Sequence, residues 1–320
     1  MPLLIFAFLL LTLLPAAAQE FPTGVVRIVV PFPAGGGLDN MARPLAERLS
    51  KLWNQTVIVE NKPGANGQLG GKSVATAPPD GHTLLLPDGS VITSNPFLYK
   101  TSSLDPIKEL APVTQLIDLH QFVLVHPSVN ARSMNELVAL AKSMPEGSLT
   151  YGSYGHGSPP HLLYGMLNYQ AGTKIRQIPY RGIAAAITAT LTGEVHTTLG
   201  SLSVAAGHID SEKLAPLAIY SKNRLPSRPN VPTLIEAGYP DIDPRAWYAL
   251  FAPVGTPAAI INRIQKDVQT VVNEPEFKAR HVDGMGYTGV VSTPSQFAAF
   301  IQNDYKLKEV MIKAAGIVPE

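Results

Sequence analysis

The sequence predicts an α/β chain folded as two lobes, each a mainly parallel sheet flanked by helices, and two junctions carry that expectation. In the first, a β-branched run reaches Val30-Pro31-Phe32-Pro33-Ala34-Gly35-Gly36-Gly37-Leu38-Asp39-Asn40, a Pro/Gly turn that opens straight into a helix-like segment. In the second, Leu149-Thr150-Tyr151-Gly152 enters Ser153-Tyr154-Gly155-His156-Gly157-Ser158, and Pro159-Pro160-His161-Leu162-Leu163 begins a helix. About 120 residues separate the two. The alternation of strand and helix patterns is the sign of a parallel sheet with helices on both faces. A glycine turn at a helix N-terminus leaves unpaired amides that favour an anion without any basic side chain. The same letters also serve plain chain reversal, so one such turn is a weak sign alone.

The elements follow in order. Val25 to Pro31 reads as a strand buried on both faces. Asp39 to Leu52 carries Met41, Leu45, Leu49 and Leu52 on one helical stripe, with Pro44 predicting an irregular or kinked first turn. Thr56 to Glu60 is a second strand, Gln68 to Ala77 a small-residue helix, and His82 to Leu86 a third strand. Pro87-Asp88-Gly89-Ser90 then turns at the carboxyl end of a strand, the edge where open α/β sheets hold ligands, which makes Ser90 a candidate contact. Val113 to Ile117 and Gln121 to His126 are strands, the latter leading into a second lobe. Ser133 caps a helix to Met144, with Glu136 at capping-box spacing. Ser158 fits the N-cap and Pro159 the first position of the next helix. Beyond it lie a strand at Lys174 to Ile178, a helix at Ile183 to Thr192, and strands at Val195 to Leu199 and Leu214 to Ile219. A short helix is expected at Thr233 to Ala237, a returning strand at Trp247 to Ala252, and helices at Pro257 to Val272 and Thr293 to Ala315.

Composition removes whole classes of function. The chain has 320 residues, room for two domains or one large one. With 25 basic against 24 acidic residues it has no field for a nucleic-acid partner. Cysteine is absent, which excludes disulfides, thiolate metal sites and a cysteine nucleophile. The eight histidines form no close pair on one helix face, so no metal and no other cofactor is expected. Leu3 to Leu14 is an apolar stretch too short to span a bilayer. Pro15 and Ala16-Ala17-Ala18 follow, so residues 1–18 read as an export leader cleaved after Ala18, although no Lys or Arg precedes the apolar run. A membrane anchor is the competing reading. Ser153 and Ser158 sit among glycines and histidines, but Tyr151 and His156 occupy the positions where a nucleophile elbow needs glycine. Gly71-Lys72-Ser73 lacks the earlier glycine of a P-loop, since Asn66 stands there. An enzyme is not expected, with a serine hydrolase the remote alternative.

Val30 to Asp39 followed by Ala42-Arg43 resembles the signature of the Bug-type solute receptors, the extracytoplasmic binding proteins of tripartite tricarboxylate transporters. Further blocks resemble that family in order: Val59-Glu60-Asn61-Lys62-Pro63-Gly64-Ala65, Pro79-Asp80-Gly81-His82-Thr83-Leu84, Tyr151 to His161, Pro179-Tyr180-Arg181-Gly182, and Val231-Pro232-Thr233 with Glu236-Ala237-Gly238. The resemblance covers nearly the whole mature chain. It implies a two-lobed periplasmic-binding-protein-like fold with a hinged cleft, lobe 1 at 21–121 plus 246–291 and lobe 2 at 122–245 plus 292–320. It also implies a periplasmic monomer that binds a small carboxylate and hands it to the membrane components of the transporter. A receptor of the same fold that docks to a signalling protein is the alternative.

By the same resemblance the loops Phe32 to Asp39 and Ser153 to His161 pinch a ligand carboxylate, partly through backbone amides and ordered water. That role falls on Ala34, Gly35, Gly36, Ser153, Gly157 and Ser158. Arg181 stands where relatives carry Lys or Arg, and Gly182-Ile183-Ala184 starts another helix near the cleft. Phe32, Tyr154, Trp247 and Tyr248 would line the ligand body, Trp247 being more typical of core or hinge packing. Asp39 is expected to order its loop, because direct contact with a ligand carboxylate would be repulsive. His161 is expected to brace the second loop, and Arg181 either meets the ligand or pairs with a local carboxylate.

Overall fold

The computed structural model describes residues 21–320 except 222, 243 and 244, so the expected leader lies outside the described residues. Two sheets organise the chain. In the first, β1 (Val26–Val30) lies between β2 (Val57–Asn61) and β3 (Thr83–Leu85), all parallel. β4 (Leu110–Leu119) and β10 (Ala246–Pro253) extend it, and β11 (Tyr287–Gly289) closes it, in the order β11-β4-β10-β3-β1-β2. The second holds β5 (Gln121–Val125), β6 (Thr150–Ser153), β7 (Arg176–Pro179), β8 (Thr197–Ser201) and β9 (Ala215–Tyr220), in the order β7-β6-β8-β5-β9.

Both sheets are mixed where mainly parallel ones were expected. β10 runs antiparallel to β3 and β4, and β5 runs antiparallel to β8 and β9. The cause is the crossing between lobes. β4 points the same way as β3, and only His120 separates it from β5, so the chain enters the second sheet against the direction of β6 to β8. β9 points back toward the first lobe, and the chain re-enters that sheet as β10 against β3. Two sheets whose carboxyl edges face each other can be joined by strands only in this sense.

Helix α1 (Gly37–Trp53) buries Leu38, Met41, Ala42, Leu45, Ala46, Leu49 and Trp53 against the first sheet. Its stripe ends on Trp53, whose Nε1 donates to Asp267 at 2.6 Å, whereas Leu52 is 46% exposed. No kink appears at Pro44; the carbonyl it leaves without a donor belongs to Asn40, an exposed residue that water can serve. α2 (Gln68–Ala75), α3 (Asn95–Leu98) and α4 (Pro106–Glu109) follow, α3 continuing a wide helical turn at Ser90–Ser94 where only a turn was expected. α5 (Met134–Ser143) is capped by Ser133, which accepts from the Glu136 N–H, while the Glu136 carboxylate takes the N–H of Arg132. α6 (Pro159–Ala171), α7 (Ile183–Leu191) and α8 (Leu202–Asp210) flank the second sheet. α8 had no counterpart in the sequence reading, because its Leu-Ser-Val-Ala-Ala-Gly run is too short and too small-sided to show a period. Residues 233–237 form a turn held by Thr233 and Glu236 instead of a helix. α9 (Ala258–Val272) buries Ile260, Ile264, Val268 and Val271, and α10 (Pro275–Phe277) starts a short helical stretch before β11.

The last helix, α11 (Pro294–Ala314), touches both lobes. Phe297 and Ile301 pack with Trp247 and Phe251 of the first, and Met311 and Ile312 with Leu163 and Tyr164 of the second. Between these two contacts lie Asp304 and Lys308, both almost wholly buried.

Candidate functional site

The carboxyl ends of β1 and β3 deliver the loop before α1 and the segment Pro87 to Ser90. The carboxyl ends of β6, β7 and β8 deliver the starts of α6, α7 and α8. Several contacts bring these two edges together. Ser203 of α8 meets the Tyr287 hydroxyl of the first sheet at 3.1 Å, while within the second sheet Gln121 at the start of β5 donates to the Tyr154 hydroxyl at 3.1 Å. Gly157 lies so close to Leu98 that a Cβ there would overlap its Cδ1.

In the first loop Asp39 is buried and its carboxylate is fully engaged. It accepts from the Gly35 N–H at 2.9 Å, from Arg43 through both oxygens at 2.9 Å, and from Asn61 at 3.1 Å. Asn61 also holds the Phe32 carbonyl. Burial opposes ionisation of Asp39, but the bonds from Arg43, Gly35 and Asn61 outweigh it and hold the carboxyl below its ordinary range. The bend needs Gly35, whose φ of +82° suits no other residue well. Asp39 therefore spends the Gly35 amide that was expected to meet a ligand. Ala34 is exposed, Gly36 is the N-cap, and the amides of Gly37, Leu38 and Asp39 in the first turn find no acceptor among the described residues. A methyl at Gly37 would come within 2.6 Å of the Tyr248 hydroxyl, so that hydroxyl sits directly on the open helix end.

The second loop is braced internally. Ser153 is buried and accepts from Gln177 at 2.7 Å. Ser158 stands at the N-cap of α6, yet its hydroxyl donates to the Gly155 carbonyl at 2.7 Å and caps nothing. The Gly157 N–H donates to Nδ1 of His161 at 3.0 Å. α6 opens on Pro159-Pro160, two residues without an N–H, so of its usual free donors only the His161 amide remains. The anion-ready end expected there is largely absent. Its neighbour α7 keeps its first-turn amides, is preceded by Gly182 at φ +102°, and carries the exposed Ala184. Arg181, exposed beside it, has no ion-pair or hydrogen-bond partner among the described residues. The Tyr180 N–H bonds the Ser153 carbonyl at 2.8 Å, which fixes this turn against the Ser153 loop.

Other expected contacts have internal duties. The Phe32 ring reaches toward Gly67 within its own lobe. Trp247 is fully buried, donates to Asp304 at 2.9 Å and packs edge-on against Phe297 and Phe300. The Ser90 hydroxyl donates to Asp88 at 2.6 Å. Asp88, Gln121, Gly37, Tyr287 and Ser203 are the residues that sequence reasoning passed over. The signal for Asp88 was present, since it stands in the turn from which Ser90 was chosen.

His161 gives this region a pH signature. Burial and the neighbouring His156 push it down to about 4, so it is neutral and can accept the Gly157 N–H. In the unfolded chain it titrates near ~6.5. Between those values the unfolded state binds the extra proton, so this contribution is complete above about pH 6.5 and is lost as pH falls toward 4. A pH series of melting temperatures should decline over that window, and His161→Gln should make the decline shallower. An identical slope in the variant would show that His161 is not buried neutral.

A family model described as the tripartite tricarboxylate transporter family receptor matches residues 41–317. BugT of Bordetella pertussis is 31% identical over 307 residues, covering 96% of this chain and 92% of its own. Among solved structures, an R. palustris protein with adipate is 28% identical with a TM-score of 0.87, covering 94% of this chain and all of that one. MatC from Rhodopseudomonas palustris with bound malate is 27% identical with a TM-score of 0.83, covering 91% of this chain and all of that one.

Proposed function

Since the chain belongs to the tripartite tricarboxylate transporter receptor family, we propose that it is a periplasmic receptor that captures a small carboxylate between its lobes and delivers it to the membrane components of such a transporter. The observation that carries this reading is the open first turn of α1, three amides without acceptors among the described residues beside the Tyr248 hydroxyl, at the edge that faces the second lobe. Adipate and malate in the two relatives support a carboxylate as ligand. The lobes divide at 121/122, 245/246 and 291/292, and residues 1–18 are the export leader. The receptor works as a monomer, without cofactor and without turnover. For the last point, the Ser158 hydroxyl is spent on a carbonyl and His161 on an amide, so neither supplies a nucleophile and base pair.

Magnitudes limit what the helix end does alone. It contributes about 0.3–1 kcal/mol to an anion, up to ~2 when partly buried, whereas micromolar affinity needs roughly 8 kcal/mol. Charged hydrogen bonds at about 1.5–3 kcal/mol each and burial on closure supply the rest. Arg181, at the facing edge, has no ion-pair partner among the described residues, and Arg181→Gln should weaken the ligand about tenfold, one charged bond discounted for exposure, without lowering the melting temperature. Wild-type affinity in the variant would remove Arg181 from the site. The reading as a whole is tested by a thermal-shift screen of mono-, di- and tricarboxylates and amino acids, since a ligand that binds only the native state raises its melting point. A shift from a neutral solute and none from any carboxylate would overturn it.

A further inference from the structure

The two strand crossings between the lobes border a cavity of about 350 Å³ that the carboxylate site does not use. Asp118 and His120 of the β4–β5 crossing line it, as does Arg245 of the β9–β10 crossing. Thr288 of β11 and Phe300 of α11 supply a first-lobe wall, and Leu234 and Ile235 a second-lobe wall. Pairing register places it. Asp118 stands opposite both Trp247 and Thr288, so these side chains share one face of the first sheet, the face that α11 covers with Phe297 and Phe300. Tyr248, the next residue along β10, points to the other face, where its hydroxyl rests on Gly37. The cavity and the open end of α1 therefore lie on opposite sides of the crossings. His120 Nε2 meets the Thr288 hydroxyl at 2.8 Å, and Lys308 of α11 donates to the Arg245 carbonyl at 3.1 Å. Both ties fasten the first-lobe side to the crossings, while Ile235 on the opposite wall is 50% exposed. Folded interiors keep few voids larger than a water molecule, and a gap of this size beside a hinge is room that lobe motion can use.

We infer that this cavity is the counter-space of the hinge, shrinking as the cleft opens and widening as it closes, so that its walls set how readily the lobes close on a ligand. Rotation about the crossings moves the two faces in opposite senses: walls that approach on the α1 face separate on the α11 face. Bulk added to the cavity wall therefore collides in the open form and is accommodated in the closed one. The closed form grips the ligand from both lobes, so affinity rises in proportion to the closed fraction of the free protein. The ceiling is the reciprocal of the closed fraction present at the start. For its effect on affinity the inference rests on the receptor reading; for its effect on shape it rests on the fold alone.

Ile235→Trp and Thr288→Trp add bulk from the two opposite walls, at positions exposed enough for the variants to fold, which a melting temperature near wild type verifies. Thr288→Ala loses the His120 bond without adding bulk, and Val254→Trp, at a position 54% exposed and outside the cavity, adds bulk elsewhere. Small-angle X-ray scattering of the mature chain without ligand reads the shape, and titration calorimetry with adipate and with malate reads affinity. Both cavity tryptophans should give a smaller radius of gyration than wild type and bind about fivefold or more tighter whichever acid wild type binds. Thr288→Ala and Val254→Trp should do neither. A radius of gyration equal to or above that of wild type in the two cavity tryptophans would overturn the inference, as would the same compaction in Val254→Trp. Unchanged or weaker affinity in both, with wild type binding normally, would overturn it and leave the carboxylate receptor standing. If neither acid binds any of the proteins while the cavity tryptophans are still compacted, the inference holds and the failure lies with the carboxylate reading.

Discussion

Asp304→Ala is expected to cost about 3–5 kcal/mol of stability, the usual consequence of removing one partner from a buried ion pair. Asp304 is 0% exposed and its Oδ2 accepts from the Thr93 hydroxyl at 2.7 Å and from Trp247 Nε1 at 2.9 Å. Oδ1 faces the Lys308 ammonium, itself 2% exposed, at 3.8 Å. Alanine leaves the indole N–H without that acceptor and takes from the Lys308 ammonium the carboxylate 3.8 Å away. Thr93 and Lys308 each retain one carbonyl, those of Gly89 and Arg245, which keeps the loss from growing further. For a chain of this size each kcal/mol moves the melting temperature by about 2–4 °C, so a fall of roughly 10 °C is expected in calorimetry. Asp304→Asn should fall less, because a side-chain oxygen remains for Trp247 while only the charge is lost. A drop of under about 2 °C in the alanine variant would mean that the pair is not buried in solution. The location raises the stakes, since this network lies on α11 between its contacts with the first lobe and its contacts with the second.

Local patterns were readable where the residue carries its own geometry. The β-branched run of β1, the glycine turn and the apolar stripe of α1 each follow from periods of 2 and 3.6. Long-range direction was not readable, because nothing in the letters of β5 or β10 records which way its neighbour runs. The fate of Pro44 depended on whether Asn40 faces water, which is a tertiary fact. Around the candidate site, residue types drew attention to loops at the carboxyl ends of β1 and β6, but not to which of their amides are left open. Gly35 and Gly157 looked like free amides and prove to be engaged by Asp39 and His161, side chains that lie four residues further on. That spacing was visible, and an acceptor at i+4 from a turn amide is a reason to discount it. Asp88 stands two residues before Ser90 in the same turn, and its carboxylate takes the Ser90 hydroxyl and the Ser90 N–H, a local bond that the choice of Ser90 alone did not anticipate.

The three consecutive glycines make the sharpest test of how the first loop works, because they look equivalent in sequence and are not equivalent in space. A Cβ at Gly36 would sit 3.6 Å from the Pro33 carbonyl, an ordinary contact. At Gly37 it would sit 2.6 Å from the Tyr248 hydroxyl and 3.4 Å from that of Tyr287. Gly37→Ala should still fold, at a modest cost, because the first helical position accepts alanine while the buried Tyr248 side chain has to shift. The methyl must displace the tyrosine hydroxyls from the open amides of α1 and occupy the volume where a ligand carboxylate belongs. Binding should fall by about a hundredfold or more, the equivalent of roughly 2.7 kcal/mol, with the melting temperature of the free protein lowered by only a few degrees, about 2–4 °C for each kcal/mol. Gly36→Ala should keep affinity within a few-fold of wild type. Equal loss in the two variants would indicate general damage to the loop, and equal retention would move the ligand away from α1 altogether. Only a split between neighbouring glycines fits a carboxylate seated on the first turn of the helix against Tyr248.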